Sequence, residues 1–134
     1  MSGLQNTFCK KERLNRKIII DDLYSKGHSF FIYPIKVNWI ITDLQTSFPA
    51  QVIINVSKRN LKKAVDRNRI KRLIREVYRK NKNIHYSFLK QNKIQLALSL
   101  IYVASETSSY KDIEKKIILI LQRLIDEMEK KRQI

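Results

Sequence analysis

Residues 51–104 read QVIINVSKRNLKKAVDRNRIKRLIREVYRKNKNIHYSFLKQNKIQLALSLIYVA, and the fold turns on this stretch. It opens with a β-branched segment from Gln51 to Ser57 and closes with an apolar run from Ile94 to Ala104 that contains Gln95 and Ser99. Runs of that length and composition read as strands, the second a buried one. Residues 60–81 between them read as a long basic helix. At about 100° per residue, Ile70, Leu73, Ile74, Val77 and Tyr78 fall on one face, and Asn68, Lys71, Arg72, Arg75 and Arg79 on the opposite one. Leu61, Ala64 and Val65 are out of phase with the apolar face, so the segment before Asp66 is a turn or packs elsewhere. The unit is therefore strand, amphipathic helix, strand, with a row of cations turned away from the sheet.

Residues 13–26 read as a first helix, with Leu14, Ile18 and Leu23 on one side and a stop at Lys26-Gly27. Phe30 to Tyr33 follow as a strand, broken at Pro34. From Ile35 to Thr42, Ile35, Val37, Trp39 and Ile41 alternate with Lys36, Asn38 and Ile40, as a half-buried strand requires. Asp43 to Pro49 reads as a loop. A last helix from Ser109 to Lys131 places Ile113, Ile117, Ile120, Leu121, Leu124 and Met128 at helical spacing, a packing face. The order α-β-β-β-α-β-α describes an α+β protein with one sheet. With two glycines, two prolines and no repeat or linker, residues 1–134 read as a single domain.

Twelve of the 28 Lys and Arg residues lie between Lys58 and Lys82 against only Asp66 and Glu76, so ten of the sixteen net positive charges come from there. Charge alone allows a merely solvated helix face. The forked donors of Arg, however, suit phosphate oxygens, and the concentration points to a polyanionic partner. A membrane-surface helix would carry Trp or Phe on its apolar face, whereas this one is aliphatic and flanked by strands it must cover. The chain lacks an apolar stretch long enough to span a bilayer and a hydrophobic leader, and its one cysteine precludes an intramolecular disulfide. A cytoplasmic location is expected.

Catalytic residues are hard to find. Asp66 and Glu76 are each expected to pair with a neighbouring Arg, and Asp21-Asp22 reads as polar helix surface. His28 and His85 read as loop histidines, and Cys9 lacks a nearby His. Metal-dependent hydrolysis by protein side chains needs clustered carboxylates or His ligands, and no such cluster is evident.

The string KKAVDRNRIKRLIREVYR, residues 62–79, resembles the Arg-Asn-Arg signature of the bacterial ribonuclease P protein component, present as Arg67-Asn68-Arg69 and continued through Glu76. Val56-Ser57-Lys58-Arg59 resembles the strand end that leads into it. The resemblance implies a two-layer α/β sandwich like ribosomal protein S5 domain 2, with a four-stranded sheet and a left-handed β-α-β crossover, against the usual right-handed rule. It implies a protein subunit of a ribozyme whose RNA removes the 5′ leader of precursor tRNA, with Mg²⁺ held mainly by RNA and substrate and no obligate protein partner.

Carried over residue by residue, the resemblance assigns Arg67, Asn68, Arg69, Lys71, Arg72 and Arg75 to the catalytic RNA, extended by Lys58, Arg59, Lys62 and Lys63. A cleft between the first helix and the sheet would hold the leader. Tyr24 matches a family aromatic there, Ile20 stands where a second aromatic is expected, and Lys36 and Asn38 project to the face opposite Trp39. A non-enzymic ribosomal or ribosome-assembly protein is the competing reading, and a self-sufficient ribonuclease a third.

Overall fold

The computed structural model describes residues 8–132. A 3-10 turn at Lys10–Glu12 precedes α1 (Lys17–Lys26), β1 (His28–Ile32), β2 (Ile35–Ile41), β3 (Ala50–Val56), α2 (Ala64–Asn81), α3 (Asn83–Gln91), β4 (Leu96–Tyr102) and α4 (Tyr110–Arg132). The strands form one sheet in the order β1-β2-β4-β3. β1 and β2 form an antiparallel hairpin across Tyr33-Pro34, whose peptide bond is cis. β4 lies antiparallel to β2 and parallel to β3. The parallel pair needs a long crossover, and α2 with α3 supplies it.

Alternation along the strands sorts side chains to two faces. Trp39, Leu98 and Val52 share a cross-strand row, and so do Val37, Leu100 and Ile54. They join one large core with Ile70, Ile74, Val77 and Tyr78 of α2 and with all six apolar residues expected on α4. The opposite face carries Ile40, Ala97 and Ile53, which pack with Leu14, Ile19, Leu23 and Leu44 in a smaller core beneath α1. The sheet and the α2–α4 layer are the two main layers, and α1 covers part of the sheet's other side.

The first helix starts later than its apolar pattern suggests. Arg13 bridges to Val52 in parallel fashion and the Leu14 N–H donates to the Val52 carbonyl at 2.9 Å, so this segment runs along β3 before α1 begins. Within α1 it is Ile19 that is buried, while Ile18, expected on the inner side, is 66% exposed. Three successive isoleucines carry no phase of their own, and docking on the sheet chooses among them. Gly27 ends the helix where a Cβ would stand 2.3 Å from the Leu23 carbonyl oxygen and 2.8 Å from that of Trp39, so only glycine fits this close approach.

Helix α3 was not expected. Lys82, in the right-handed helical region, ends α2 and leads directly into α3, which buries His85, Tyr86 and Leu89. His85 is therefore a core residue and not a loop histidine. Its Nε2 meets the Tyr78 hydroxyl at 2.9 Å, and burial pushes the imidazole pKa down to about 3, with the nearby Lys82 charge acting in the same direction. His28 is likewise not in a loop: it opens β1 and stacks on Trp39 with ring centroids 4.5 Å apart.

Candidate nucleic-acid interface

Helix α2 turns its apolar side into the core and leaves Asn68, Arg69, Arg72 and Arg75 exposed, with Lys71 half-buried beside them. The approach to the helix is a built turn. Ser57 N–H extends the parallel ladder to the Tyr102 carbonyl at 2.9 Å, Leu61 N–H closes onto Ser57 O at 3.0 Å, and Asn60 Nδ2 donates to Val103 O at 2.5 Å. Buried Leu61 anchors the turn in the core, which answers why it was out of phase with α2. Lys58, Arg59, Lys62 and Lys63 are left in solvent on this fixed turn. Among the described residues, none of these four, nor Arg69, Lys71, Arg72 or Arg75, makes an ion pair.

Arg67 plays a different part from its neighbours. Its Nη1 donates to the carbonyls of Leu61, at 3.0 Å, and Lys62, at 2.7 Å, so the guanidinium fastens the turn to the helix. The far end of the cationic row is quenched: Arg79 clasps Glu76 through Nε at 3.0 Å and Nη2 at 2.8 Å, with Lys80 at 3.8 Å. The Arg79 bond holds the Glu76 carboxyl below its ordinary value. Asp66 makes no ion pair among the described residues, contrary to expectation; it sits in the first turn of α2, where a carboxylate complements the helix dipole.

The second group gathers on the other face of the sheet. Asn38 of β2 stands opposite Ser99 of β4, and the Tyr24 hydroxyl from α1 meets Ser99 Oγ at 2.7 Å. Tyr24 remains 45% exposed, so its ring is tethered at the tip and open along its side. The buried Asn38 Oδ1 accepts no hydrogen bond from another described residue. Lys36 is exposed one row further, between Phe31 and Ile101. Ile20 is half-buried and packs with Ile40 and Ile53 against the small core. Ser99 was missed, and the signal for it was a lone hydroxyl inside an otherwise apolar strand.

No group of three or more His, Cys, Asp or Glu side chains converges among the described residues. Asp21 and Asp22 are spent on exposed pairs with Lys17 at 3.9 Å and Lys26 at 3.7 Å. Cys9 offers its backbone N–H to Glu12 Oε1. This donor set does not fit a magnesium cage. No helix among the described residues is long and apolar enough to cross a membrane.

The family model described as Ribonuclease P matches residues 8–125. The chain belongs to the ribonuclease P protein family. Similar relatives include the ribonuclease P protein component of Porphyromonas gingivalis, 29% identical over 115 residues that cover 86% of this chain and 84% of the relative. That of Chlorobium phaeobacteroides is 33% identical over 117 residues, covering 81% and 80%. Among solved structures, the Staphylococcus aureus RNase P protein superposes with a TM-score of 0.67 at 22% identity, covering 84% of this chain and 94% of the other. The Thermotoga maritima protein gives 0.64 at 21%, covering 84% and 96%. These last two support the α+β fold with its four-stranded sheet. Family membership makes the chain a protein subunit of ribonuclease P, partnered by that enzyme's RNA, and disfavours the ribosomal alternative.

Proposed function

We propose that this subunit grips the catalytic RNA through α2 and the 58–63 turn and holds the 5′ leader of precursor tRNA between α1 and the sheet, while the RNA carries out the hydrolysis. The observation that carries this is the row of exposed cations on α2 without carboxylate partners, in a chain whose own acids and histidines are dispersed or buried. Phosphate contacts of that kind position an RNA without reading its sequence. In the cleft, Tyr24 offers a ring face for an unpaired base and Lys36 a charge for a phosphate, with Asn38 across from Ser99 beside them. Mg²⁺ is then held by RNA and substrate phosphates, and the protein's part is to raise local positive charge and align the leader.

Reconstitution tests this. Precursor tRNA is incubated with purified protein, with the organism's catalytic RNA, and with both, at low Mg²⁺. Correct 5′ processing is expected only from the combination. Specific cleavage by protein freed of RNA would overturn the assignment of the chemistry.

A further inference from the structure

The face of the sheet toward α1 is covered unevenly. Ile40 and Ala97 pack beneath the helix, and in the next row Ser99 is capped by the Tyr24 hydroxyl. The row after that runs Phe31, Lys36, Ile101 and Asn55 across all four strands, and it is open. Phe31 is 51% exposed, Lys36 and Asn55 are exposed, and Ile101 is half-buried. Lys36 makes no ion pair among the described residues.

Phe31 is turned to this face by its neighbour. Phe30 enters the large core, where Arg123 of α4 lies over its ring, and alternation sends Phe31 the opposite way. A single apolar side chain in solvent needs no explanation, but a group of them marks a contact site. The exposed aromatic residues among the described ones are Tyr24, Phe31 and Tyr33, and they follow one another from α1 to the tip of the β1–β2 hairpin. The Tyr33 ring meets that of Phe31 in a T, centroids 6.0 Å apart, which steadies the Phe31 ring from the tip. Ser99, where Tyr24 is tethered, and Phe31 are one row and two strands apart, roughly 12 Å by strand geometry. Lys36 stands between them.

We propose that Phe31 stacks a second unpaired base of the leader on the open row of the sheet, with Lys36 taking a phosphate between that base and the one at Tyr24. The proposal rests on the reading of the cleft as the leader site. Single-stranded RNA laid across a β-sheet is held by aromatic rings on the sheet's face, and Phe31 supplies such a ring where α1 no longer covers the strands. Every base has a π-face, so a ring of this kind accepts any of the four. The added position therefore senses how far an unpaired leader extends and not what sequence it carries.

The test measures binding of precursor tRNA to the reconstituted holoenzyme, with an abasic residue placed at each leader position in turn. Phe31→Leu is expected to weaken binding of the intact precursor roughly 5- to 30-fold, as the loss of one stacked base requires, and to leave mature tRNA as in the wild type. One leader position at which the wild type suffers from the abasic residue should become indifferent to it in Phe31→Leu. Phe31→Trp should keep both the affinity and that sensitivity. Phe31→Thr, a residue suited to strands, gives a second reading if Leu disturbs the hairpin. Unchanged precursor affinity in Phe31→Leu and Phe31→Thr overturns the proposal. So does a loss that is equal on mature tRNA, or one that leaves the abasic profile as in the wild type, because either shows Phe31 acting through the fold. Tyr24→Ala, run in parallel, separates the two readings: loss there with none at Phe31 removes this position and leaves the cleft standing, whereas no leader dependence in any of the proteins removes both.

Discussion

Lys82 Nζ lies 2.5 Å from Glu12 Oε2, a pair of side chains 70 positions apart and both almost wholly out of solvent. The Tyr86 hydroxyl donates to the same carboxylate oxygen at 2.5 Å, and Cys9 N–H donates to the other at 3.0 Å. This cluster pins the N-terminal segment to the α2–α3 junction. Glu12→Ala takes the carboxylate from beside a buried ammonium and is expected to cost about 3–5 kcal/mol. Glu12→Leu with Lys82→Met should recover much of that loss. Urea midpoints of the three proteins check it.

Acid should act in two stages. His85 has its folded pKa lowered to about 3 from an ordinary 6.5, so it stays neutral in the fold while the unfolded chain takes up a proton. Its contribution is complete above pH 6.5 and is lost as pH falls below that value, by about 2 kcal/mol between pH 7 and 5. Burial alone would raise the Glu12 carboxyl, but the bonds from Lys82, Tyr86 and Cys9 outweigh it and hold it below 4.5. Its contribution is present above pH 4.5 and fades as pH drops through the lowered folded value. His85→Gln should remove the first stage and keep the second, read from denaturation midpoints at half-unit pH steps.

Salt should weaken binding to the ribonuclease P RNA steeply. About six phosphate contacts give a log–log slope of roughly −4 to −5. Arg72→Ala and Arg75→Ala should each flatten it by about one contact. Arg67→Ala should do more than its share, because it also frees the turn that presents Lys58 and Arg59. A wild-type slope near zero would count against α2 as the interface.

Leader binding should separate from assembly. Tyr24→Ala with Lys36→Ala is expected to cost roughly 1–3 kcal/mol in precursor binding by the holoenzyme and nothing for mature tRNA. Tyr24→Phe keeps the ring and loses only the tether to Ser99, so its effect should be smaller. Equal losses on both substrates would show that the cleft does not hold the leader.

Much of this was readable from local pattern. The alternation at Ile35–Ile41 placed Lys36 and Asn38 on the face opposite Trp39, and the phase of Ile70, Ile74 and Val77 placed Arg72 and Arg75 in solvent. What escaped was whatever depends on a distant partner. Ile18-Ile19-Ile20 could not declare its inner residue without the sheet beneath it. Helix α3 is short and continuous with α2, so its buried residues at 85, 86 and 89 left too brief a period to register. The Glu12–Lys82 pair, the Ser99 tether and the bond from Gln51 to the Lys11 carbonyl each join chain segments that only the completed sheet brings together. Ile20 was assigned to the cleft by position alone, and nothing local in the sequence showed that it also packs against the small core.

The strand order β1-β2-β4-β3 puts the last strand to leave the ribosome in the interior of the sheet. A chain still in synthesis can close the β1–β2 hairpin, but until Tyr102 and Val103 emerge β3 lacks its strand partner and the turn carrying Lys58 and Arg59 lacks its fastenings. Non-local parallel pairing of this kind forms late. A polypeptide that stops short of β4 therefore carries the same basic residues without the Tyr102 and Val103 contacts that fasten their turn.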